Sequence, residues 1–365
     1  MVQYPDVPPH CRGRRARCGV TMDLSGGLAS NLDAPILDPN ADLVAGENHA
    51  FWVFDNAGEF ALLNCHVQAG GVPGQSWPDW ETRRVGFGIA APDDRLFVDW
   101  VIENGTTADA LVVGGWTFRC VDPFVKWTAT YRGRPRASTV AEHRAGVVDL
   151  SGERGEVEVD LELSMALPPW IQGDFAEDLP GRETGLMFIG IPRYEQLYRA
   201  TGEIRLEGVA HPIEATGLRT HRYGQRTTAL MAGHSWLSAL FPSGRAFGSM
   251  RFPGPGGADL FREAWVTGPD GLVGAKLLES PWLTSLDCTG ETWTVALDTP
   301  DGPAEISGET LAVSYSMGMG VNHAPGSFVL AHGMGRFTWD GEVACGLIER
   351  SAPIDELTLT CISWY

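Results

Sequence analysis

Short runs in which apolar and polar residues alternate recur along the whole chain, and they constrain its fold more than any other feature. They include HAFWVFDN, RLFVDWVIE and VKWTATYRG in the first half, and TGEIRLEG, ETWTVALDTPDG and FVLAHGMGRFTWDG in the second. Runs with period-two alternation, separated by turn residues every 8–12 positions or so, predict antiparallel strands. Helical periodicity is almost absent, so we predict an all-β protein whose sheets close as a sandwich or barrel.

Glycine and proline divide these runs along the entire sequence. The 45 glycines and 24 prolines are dispersed, and TGPDGL and DTPDGP are turn sequences. At 365 residues the chain exceeds one ordinary core. The stretch between about 165 and 200, which includes MALPPWIQGDFAEDLPGRE, is rich in proline and acid, lacks alternation and is interpreted as the connection between two β domains. We therefore predict an N-terminal arm over 1–30, a first domain over 31–190 and a second over 191–365.

Charge and cysteine content exclude several classes of protein. A net charge of −19, from 27 basic and 46 acidic side chains, argues against nucleic-acid binding, which needs basic surface to displace phosphate counterions. The basic run CRGRRARC at 11–18 is interpreted as a solvated arm rather than a phosphate site. Seven widely spaced cysteines without a C-x-x-C pair indicate buried thiols, neither a disulfide framework nor a zinc site.

The sequence shows no apolar run of membrane-spanning length and no apolar core for a signal peptide. We expect a cytoplasmic protein without membrane insertion. Its oligomeric state is left open.

A cluster of basic and aromatic residues, GLRTHRYGQRT at 217–227, is the main candidate for chemistry. In a strand, residues two apart share a face, so Arg219, His221 and Tyr223 would point the same way. A guanidinium, an imidazole and a phenol facing one volume can donate hydrogen bonds to a carbonyl or enolate, and histidine can also move a proton. His234 and Trp236, on the next predicted strand, are expected to face the same cavity.

The stretch GLRTHRYGQRTTALMAGHSWLSALFPSGRAFGSMRF resembles the double-lipocalin group related to hydroxyneurosporene synthase, the carotenoid hydratase. In that group a glycine-flanked basic and aromatic strand leads to a W-x-x-A-x-F-x-x-G-R-A-F-G hairpin. The similarity extends from about residue 49 to about 351. The resemblance implies two calycin-like β-barrels side by side that act on hydrophobic substrates without organic cofactor or metal. Characterised relatives include isoprenoid hydratases and cofactor-free cyclases of Diels–Alder type.

The chain also departs from the pattern of that group, whose strand reads closer to G-x-R-D-H-S-W-G-x-R-D-W. Thr220 replaces the first acid, Arg222 and Tyr223 replace Ser-Trp, and Thr227 with the following threonine replaces Asp-Trp. The retained positions of the pattern are Arg219, His221, Gly224 and Arg226. The lost acid puts a hydratase mechanism that uses it in doubt.

Two acids, Asp99 in LFVDWVIE and Glu349 in CGLIERS, lie among apolar residues. Burial would keep such a carboxyl protonated, as alkene protonation requires. The alternative for each is a carboxylate that pairs with an arginine or faces solvent. Likewise, the alternative for Arg219 and His221 is a structural role, in which they pair with acids such as Glu263 or Glu349 across the sheet.

The thirteen tryptophans are compatible either with an apolar cavity inside a barrel or with ordinary core packing. The candidate catalytic residues are His221, Tyr223, Arg219, Glu349 and Asp99. The candidate substrate-binding residues are His234, Trp236, Trp116, Phe247 and Arg226. No metal, nucleotide or nucleophile-elbow motif is complete, so we expect no metal and no cofactor.

Three functions are compatible with these features. The first is a cofactor-independent enzyme that hydrates, dehydrates, isomerises or cyclises a terpenoid, polyketide or polycyclic compound, with His221 as acid or base and Arg219 and Tyr223 polarising an oxygen. The second is a non-catalytic carrier of such a compound. The third, a carbohydrate-binding sandwich, would place tryptophans in an open groove. Polar groups that converge in an apolar cavity would favour the enzyme.

Overall fold

The computed structural model describes residues 22–37, 46–69, 82–144, 152–180, 193–223, 232–254, 256–269, 271–317 and 328–357. Within these ranges almost all regular structure is antiparallel strand. The short helices are one α-turn, α1 (Val140–Arg144), and two 3-10 turns, Ser30–Asp33 and Ile354–Glu356. No helix in the described ranges is long and apolar enough to cross a membrane.

The strands of the first sheet are β1 (Glu47–Asp55), β2 (Ala61–Ala69), β3 (Arg84–Ala91), β4 (Arg95–Ile102), β5 (Ala110–Val113), β6 (Trp116–Asp122), β7 (Lys126–Gly133), β8 (Arg136–Thr139), β9 (Val157–Met165), β10 (Trp170–Ile171), β11 (Arg193–Leu206) and β12 (Val209–Tyr223). Their order is β5-β6-β7-β9-β11-β12-β1-β2-β3-β4-β8, with β10 beside β11. The sheet curls back on itself, so that β4 and β5, near opposite ends of this order, come together. Gly105 N–H, just after β4, donates to Val112 O in β5.

The second sheet is a closed barrel of eight strands that follow one another in sequence. They are β13 (His234–Leu240), β14 (Ala246–Pro253), β15 (Asp259–Gly268), β16 (Gly271–Glu279), β17 (Thr292–Thr299), β18 (Gly302–Met317), β19 (Phe328–Trp339) and β20 (Glu342–Pro353). β20 pairs with β13 and closes the barrel. The predicted all-β architecture of two lipocalin-like barrels is confirmed.

Alternation in the sequence corresponds to one buried and one exposed face where a strand lies at the surface. β9 shows this pattern, with every second side chain from Val157 to Met165 buried and the intervening ones partly or fully exposed. β1 is buried at every position. One of its faces lines the interior of the first sheet, and the other packs against the barrel.

The apolar residues form a separate core inside each sheet, a third core between the sheets, and a fourth, smaller cluster where α1 packs against the barrel. We call this third core the junction. It contains residues of the first sheet, including Trp52, Trp170 and Leu218, and residues of the barrel, including Trp236 and Trp265. The junction is therefore a region where side chains from two barrels meet, a common location for ligand sites.

The change from one sheet to the other lies further along the chain than the predicted division near residue 190. β11 and β12 pair along their lengths, and β12 also pairs with β1, so both belong to the first sheet. The barrel begins with His234. The stretch interpreted as a connection lies between the sheets at 170–176, where β10 pairs with β11 and Ala176 forms a bridge to Glu263 of β15.

The described cysteines agree with the prediction of unpaired thiols. Cys65, Cys288 and Cys345 are buried, Cys120 is partly buried, and all four are free. The basic run at 11–18 lies outside the described residues.

Candidate active site

The glycine that opens the basic cluster is required by close packing. A Cβ on Gly217 would lie 2.3 Å from the Tyr198 ring and 2.4 Å from the carbonyl oxygen of Trp52. Tyr198 donates a hydrogen bond of 2.7 Å to that same carbonyl. The tyrosine thus crosses the strand at the glycine, just before Arg219 and His221 enter the interior of the first sheet.

Arg219 is held by a buried ion pair with Asp33, whose side chain has no exposed surface. Asp33 also accepts hydrogen bonds from the Tyr194 hydroxyl, from Phe124 N–H at 2.6 Å and from Trp127 Nε1 at 3.0 Å. Burial opposes ionisation of Asp33, but the Arg219 charge and these donors together lower its pKa. The pair is therefore ionised and saturated with hydrogen bonds.

His221 contacts a second buried carboxylate, Glu47, at 2.9 Å from Nε2. Glu47 also accepts hydrogen bonds from His49 at 3.0 Å, from Arg83 at 2.7 Å and from Ile36 N–H at 2.9 Å. Burial opposes ionisation of Glu47, but the interactions with His49 and His221 hold its pKa well below the usual range. Burial and the neighbouring His221 lower the pKa of His49 to about 4, so His49 is neutral near pH 7.

The second ring nitrogen of His221, Nδ1, lies 2.8 Å from the carbonyl oxygen of Leu32. A carbonyl can only accept, so His221 Nδ1 carries a proton and donates it to Leu32. The ring nitrogens and the carboxylate of Glu47, His49 and His221 lie within 4.8 Å of one another, a spacing compatible with metal ligands. The two rings stack with centroids 3.8 Å apart, and both Nε2 atoms lie within hydrogen-bond distance of the same carboxylate oxygen, Glu47 Oε1. We interpret the group as a hydrogen-bonded cluster.

These contacts fasten the segment 24–36 onto the first sheet. Gln196 adds another attachment, because its amide donates to the carbonyl oxygen of Leu24 at 2.9 Å. Every polar group of Arg219 and Asp33 is engaged within the protein, as is the carboxylate of Glu47. The geometry thus supports the structural interpretation of Arg219, although with Asp33 as its partner instead of Glu263 or Glu349.

A second polar cluster lies in the junction and is centred on Glu349. Its Oε1 lies 3.1 Å from His234 Nε2, and its Oε2 lies 2.6 Å from His332 Nδ1. Burial opposes ionisation of Glu349, but the charge of His332 and the hydrogen bonds of both rings hold its pKa well below the usual range. Glu349 is thus a carboxylate that lies between two imidazoles. A carboxylate in this arrangement can accept a proton.

Trp236 joins this cluster to a second carboxyl group of the junction, that of Glu195. Trp236 is the direct cross-strand partner of Glu349, and its indole Nε1 donates to Glu195 Oε2 at 3.0 Å. Arg193 lies 4.5 Å above the Trp236 ring and 2.8 Å from Glu195 Oε1. Burial, together with the nearby Glu263, raises the pKa of Glu195 to about 7 despite the opposing charge of Arg193.

Glu263, on β15, is the third acid of the junction. It accepts hydrogen bonds from the backbone N–H groups of Gly173, at 3.0 Å, and Phe175, at 2.7 Å. Burial raises the pKa of Glu263 to about 7, against these two hydrogen bonds. The junction therefore contains carboxyl groups of two kinds: Glu195 and Glu263 are partly protonated near pH 7, and Glu349 is ionised. Environments that push the pKa values of neighbouring acids apart are how proteins provide both an acid and a base.

The structure divides the remaining candidate residues among different places. Trp116 and Phe247 are buried in the separate cores of the first sheet and the barrel, where Trp116 stacks on Phe118 at 5.0 Å. Asp99 lies 3.1 Å from Arg154, on the same face of β4 as Phe97, with 14% of its side chain exposed, which matches the alternative of a carboxylate paired with an arginine. The Tyr223 ring lies 5.8 Å from that of His221.

His234 and Trp236 do not share a cavity with His221. They lie in the junction together with Glu349, whereas His221 faces the interior of the first sheet. Arg226 lies outside the described residues.

Sequence reasoning missed Glu195, Glu263, His332 and Ser351 in the junction, and Asp33 and Glu47 in the first sheet. A signal for Glu195 exists, because it stands two residues before Leu197 and shares its face. That signal was lost when the stretch around 165–200 was interpreted as lacking strands.

Comparisons with known proteins agree with the fold. A family model described as domain of unknown function (DUF7064) matches residues 50–354. An AttH-like protein from Nitrosomonas europaea is similar in structure, with 15% identity, a TM-score of 0.54, and 88% of this chain and 98% of that chain covered. CghA with Sch210972 is similar at 10% identity and a TM-score of 0.50, with 91% and 97% covered. No curated protein sequence matches the chain.

Proposed function

This chain belongs to the family described as domain of unknown function DUF7064, and we propose that it is an enzyme that acts by acid–base chemistry on a hydrophobic substrate. The proposed active site is the junction. The proposed step uses side chains of the chain itself, without an organic cofactor or a metal. The substrate class we propose is a terpenoid, polyketide or polycyclic compound, and the reaction is a hydration or dehydration, an isomerisation or a cyclisation.

One observation carries this proposal: Trp236 contacts two buried carboxyl groups whose pKa values are shifted in opposite directions. Glu195, at the indole nitrogen, has a pKa raised to about 7, and Glu349, on the neighbouring strand, has a pKa well below its usual range. A carboxylic acid that keeps its proton near neutrality can protonate an alkene or a carbonyl. A carboxylate backed by two imidazoles can accept the proton that leaves.

The surrounding residues suit an apolar substrate and a developing positive charge. Trp52 packs edge-on against Trp236 with ring centroids 5.1 Å apart, and Trp170 and Trp265 pack at 5.7 Å. Aromatic faces stabilise cations in surroundings with little water. CghA, which shares the fold at a TM-score of 0.50, is described with Sch210972, which supports a bound compound here as well.

Arg219 and His221 have a different part in this proposal. Both are occupied by contacts that fasten the segment 24–36, so we assign them to the support of the first sheet rather than to the chemical step. Glu195 and Glu349 take the acid and base roles. His234 and His332 orient Glu349, and Trp236 lines the substrate side.

A carrier without catalysis is the second candidate, and the apolar lining of the junction favours it as much as an enzyme.

To distinguish the two, wild type and Glu195→Gln would each be incubated with neutral terpenoids, polyketides and polycyclic compounds. Quenching of tryptophan fluorescence reports binding, and mass spectrometry reports products. We expect both proteins to bind the same compound and only wild type to convert it. Binding by both without any product would support the carrier.

A further inference from the structure

Ser351, which has no part in the proposed acid–base step, forms a hydrogen-bonded series with His234 and Glu349. Ser351 lies directly opposite His234 on the neighbouring strand, and its Oγ lies 2.6 Å from His234 Nδ1. The other ring nitrogen, Nε2, lies 3.1 Å from Glu349 Oε1. All three side chains are buried, and Phe252 stacks on the His234 ring with centroids 5.5 Å apart.

The partners of His234 fix the direction of these hydrogen bonds. An ionised carboxylate can only accept, so His234 Nε2 donates its proton to Glu349. In the neutral ring Nδ1 then carries a lone pair, and the Ser351 hydroxyl donates to it. A hydroxyl that donates to an imidazole, which is in turn oriented by a carboxylate, is the arrangement that activates a serine nucleophile.

The chain contains a natural comparison at Ser314, a buried serine whose Oγ lies 3.5 Å from His143 Nδ1. The other ring nitrogen of His143, Nε2, has no hydrogen-bond partner in the described part of the chain. Ser314 therefore lacks both the short hydrogen bond and the orienting carboxylate that Ser351 has. If hydrogen-bond geometry determines reactivity, Ser351 is reactive and Ser314 is not.

We propose that Ser351 is an acyl-accepting nucleophile, with His234 as its base, for esters of hydrophobic carboxylic acids. Ser351 Oγ bonds to the acyl carbon while its proton moves to His234 Nδ1. The bond between that carbon and the alcohol oxygen breaks, and the alcohol leaves with the proton. Water attacks the acyl-serine with the same nitrogen as base, which releases the carboxylic acid and restores Ser351. The sum is an ester and water giving an acid and an alcohol.

The test is covalent labelling with an alkyl fluorophosphonate, which serine nucleophiles attack with loss of fluoride. Wild type is expected to take up one equivalent, and peptide mapping is expected to place it on Ser351. Ser351→Ala should take up none, and His234→Gln should label about 100-fold more slowly because the general base is lost. Ser314→Ala is the matched control and should label like wild type.

Peptide mapping of wild type locates the adduct without any variant, and circular dichroism verifies that each variant is folded. Folded wild type that takes up no label, or carries it at a residue other than Ser351, would overturn the proposal. So would labelling that persists in Ser351→Ala. The assay needs no conversion of terpenoid or polyketide compounds, so its outcome is separate from that of the acid–base function.

Discussion

Replacing Arg219 with leucine is expected to destabilise the folded protein by about 3–5 kcal/mol, the usual consequence of removing one partner of a buried ion pair. Asp33 would remain as a carboxylate without exposed surface, and the Gln196 amide oxygen would lose the 2.6 Å hydrogen bond from Arg219. The attachment of the segment 24–36 would weaken with it. Urea unfolding followed by circular dichroism and tryptophan fluorescence measures the change.

Arg154→Leu is the matched control for this experiment, because Arg154 pairs with Asp99 at the surface with 41% of its side chain exposed. We expect the control to lose less than about 1 kcal/mol, as exposed pairs contribute little. If Arg219→Leu were as stable as the control, the buried network around Asp33 would not support the fold as described. If it kept full stability but lost turnover, Arg219 would belong to the chemistry after all.

The second large effect is expected in the pH dependence of turnover. Only the protonated form of Glu195 can donate, and its pKa is raised to about 7 by burial, so the rate should fall about tenfold per pH unit above that value. Glu349 has a pKa well below its usual range and stays ionised over the same interval. The acid limb should therefore be flat near neutrality, and the alkaline limb should report Glu195.

Glu195→Gln and Glu349→Gln are each expected to lower kcat by about 10²–10⁴-fold, the range for removing a general acid or base. Steady-state rates between pH 5 and 9 would be measured with the compound that the binding and conversion assay identifies. Asp99→Asn is the control, since Asp99 pairs with Arg154 away from the junction and its loss should leave kcat unchanged. An alkaline limb that persists in Glu195→Gln would assign it to another group.

Period-two alternation was sufficient to predict the class of fold. Strands such as Val157–Met165 carry the alternation because one face meets the core and the other meets solvent. The same rule correctly placed Arg219 and His221 on one inward face of β12. Local geometry determines both results, so they can be derived from neighbouring residues alone.

Contacts between residues far apart in sequence could not be derived in this way. Asp33 and Arg219 are separated by 186 positions, and Glu47 and His221 by 174. The junction also combines Glu195 of the first sheet with Trp236 of the barrel, and it exists only once both sheets have formed and packed together. Alternation indicated that Glu349 was an acid among apolar residues, but it could not show the two histidines that keep it ionised.

The most direct test of the account is the titration of Glu195 itself, which requires no substrate. Infrared difference spectra between pH 3 and 9 record the C=O band of protonated carboxyl groups, and spectra of Glu195→Gln and Glu263→Gln assign the two bands from the junction. The account predicts a band that belongs to Glu195 and disappears with a midpoint near pH 7. A Glu195 band that disappears near the ordinary glutamate value of 4.5 would mean that the junction holds no acid for the proposed chemistry.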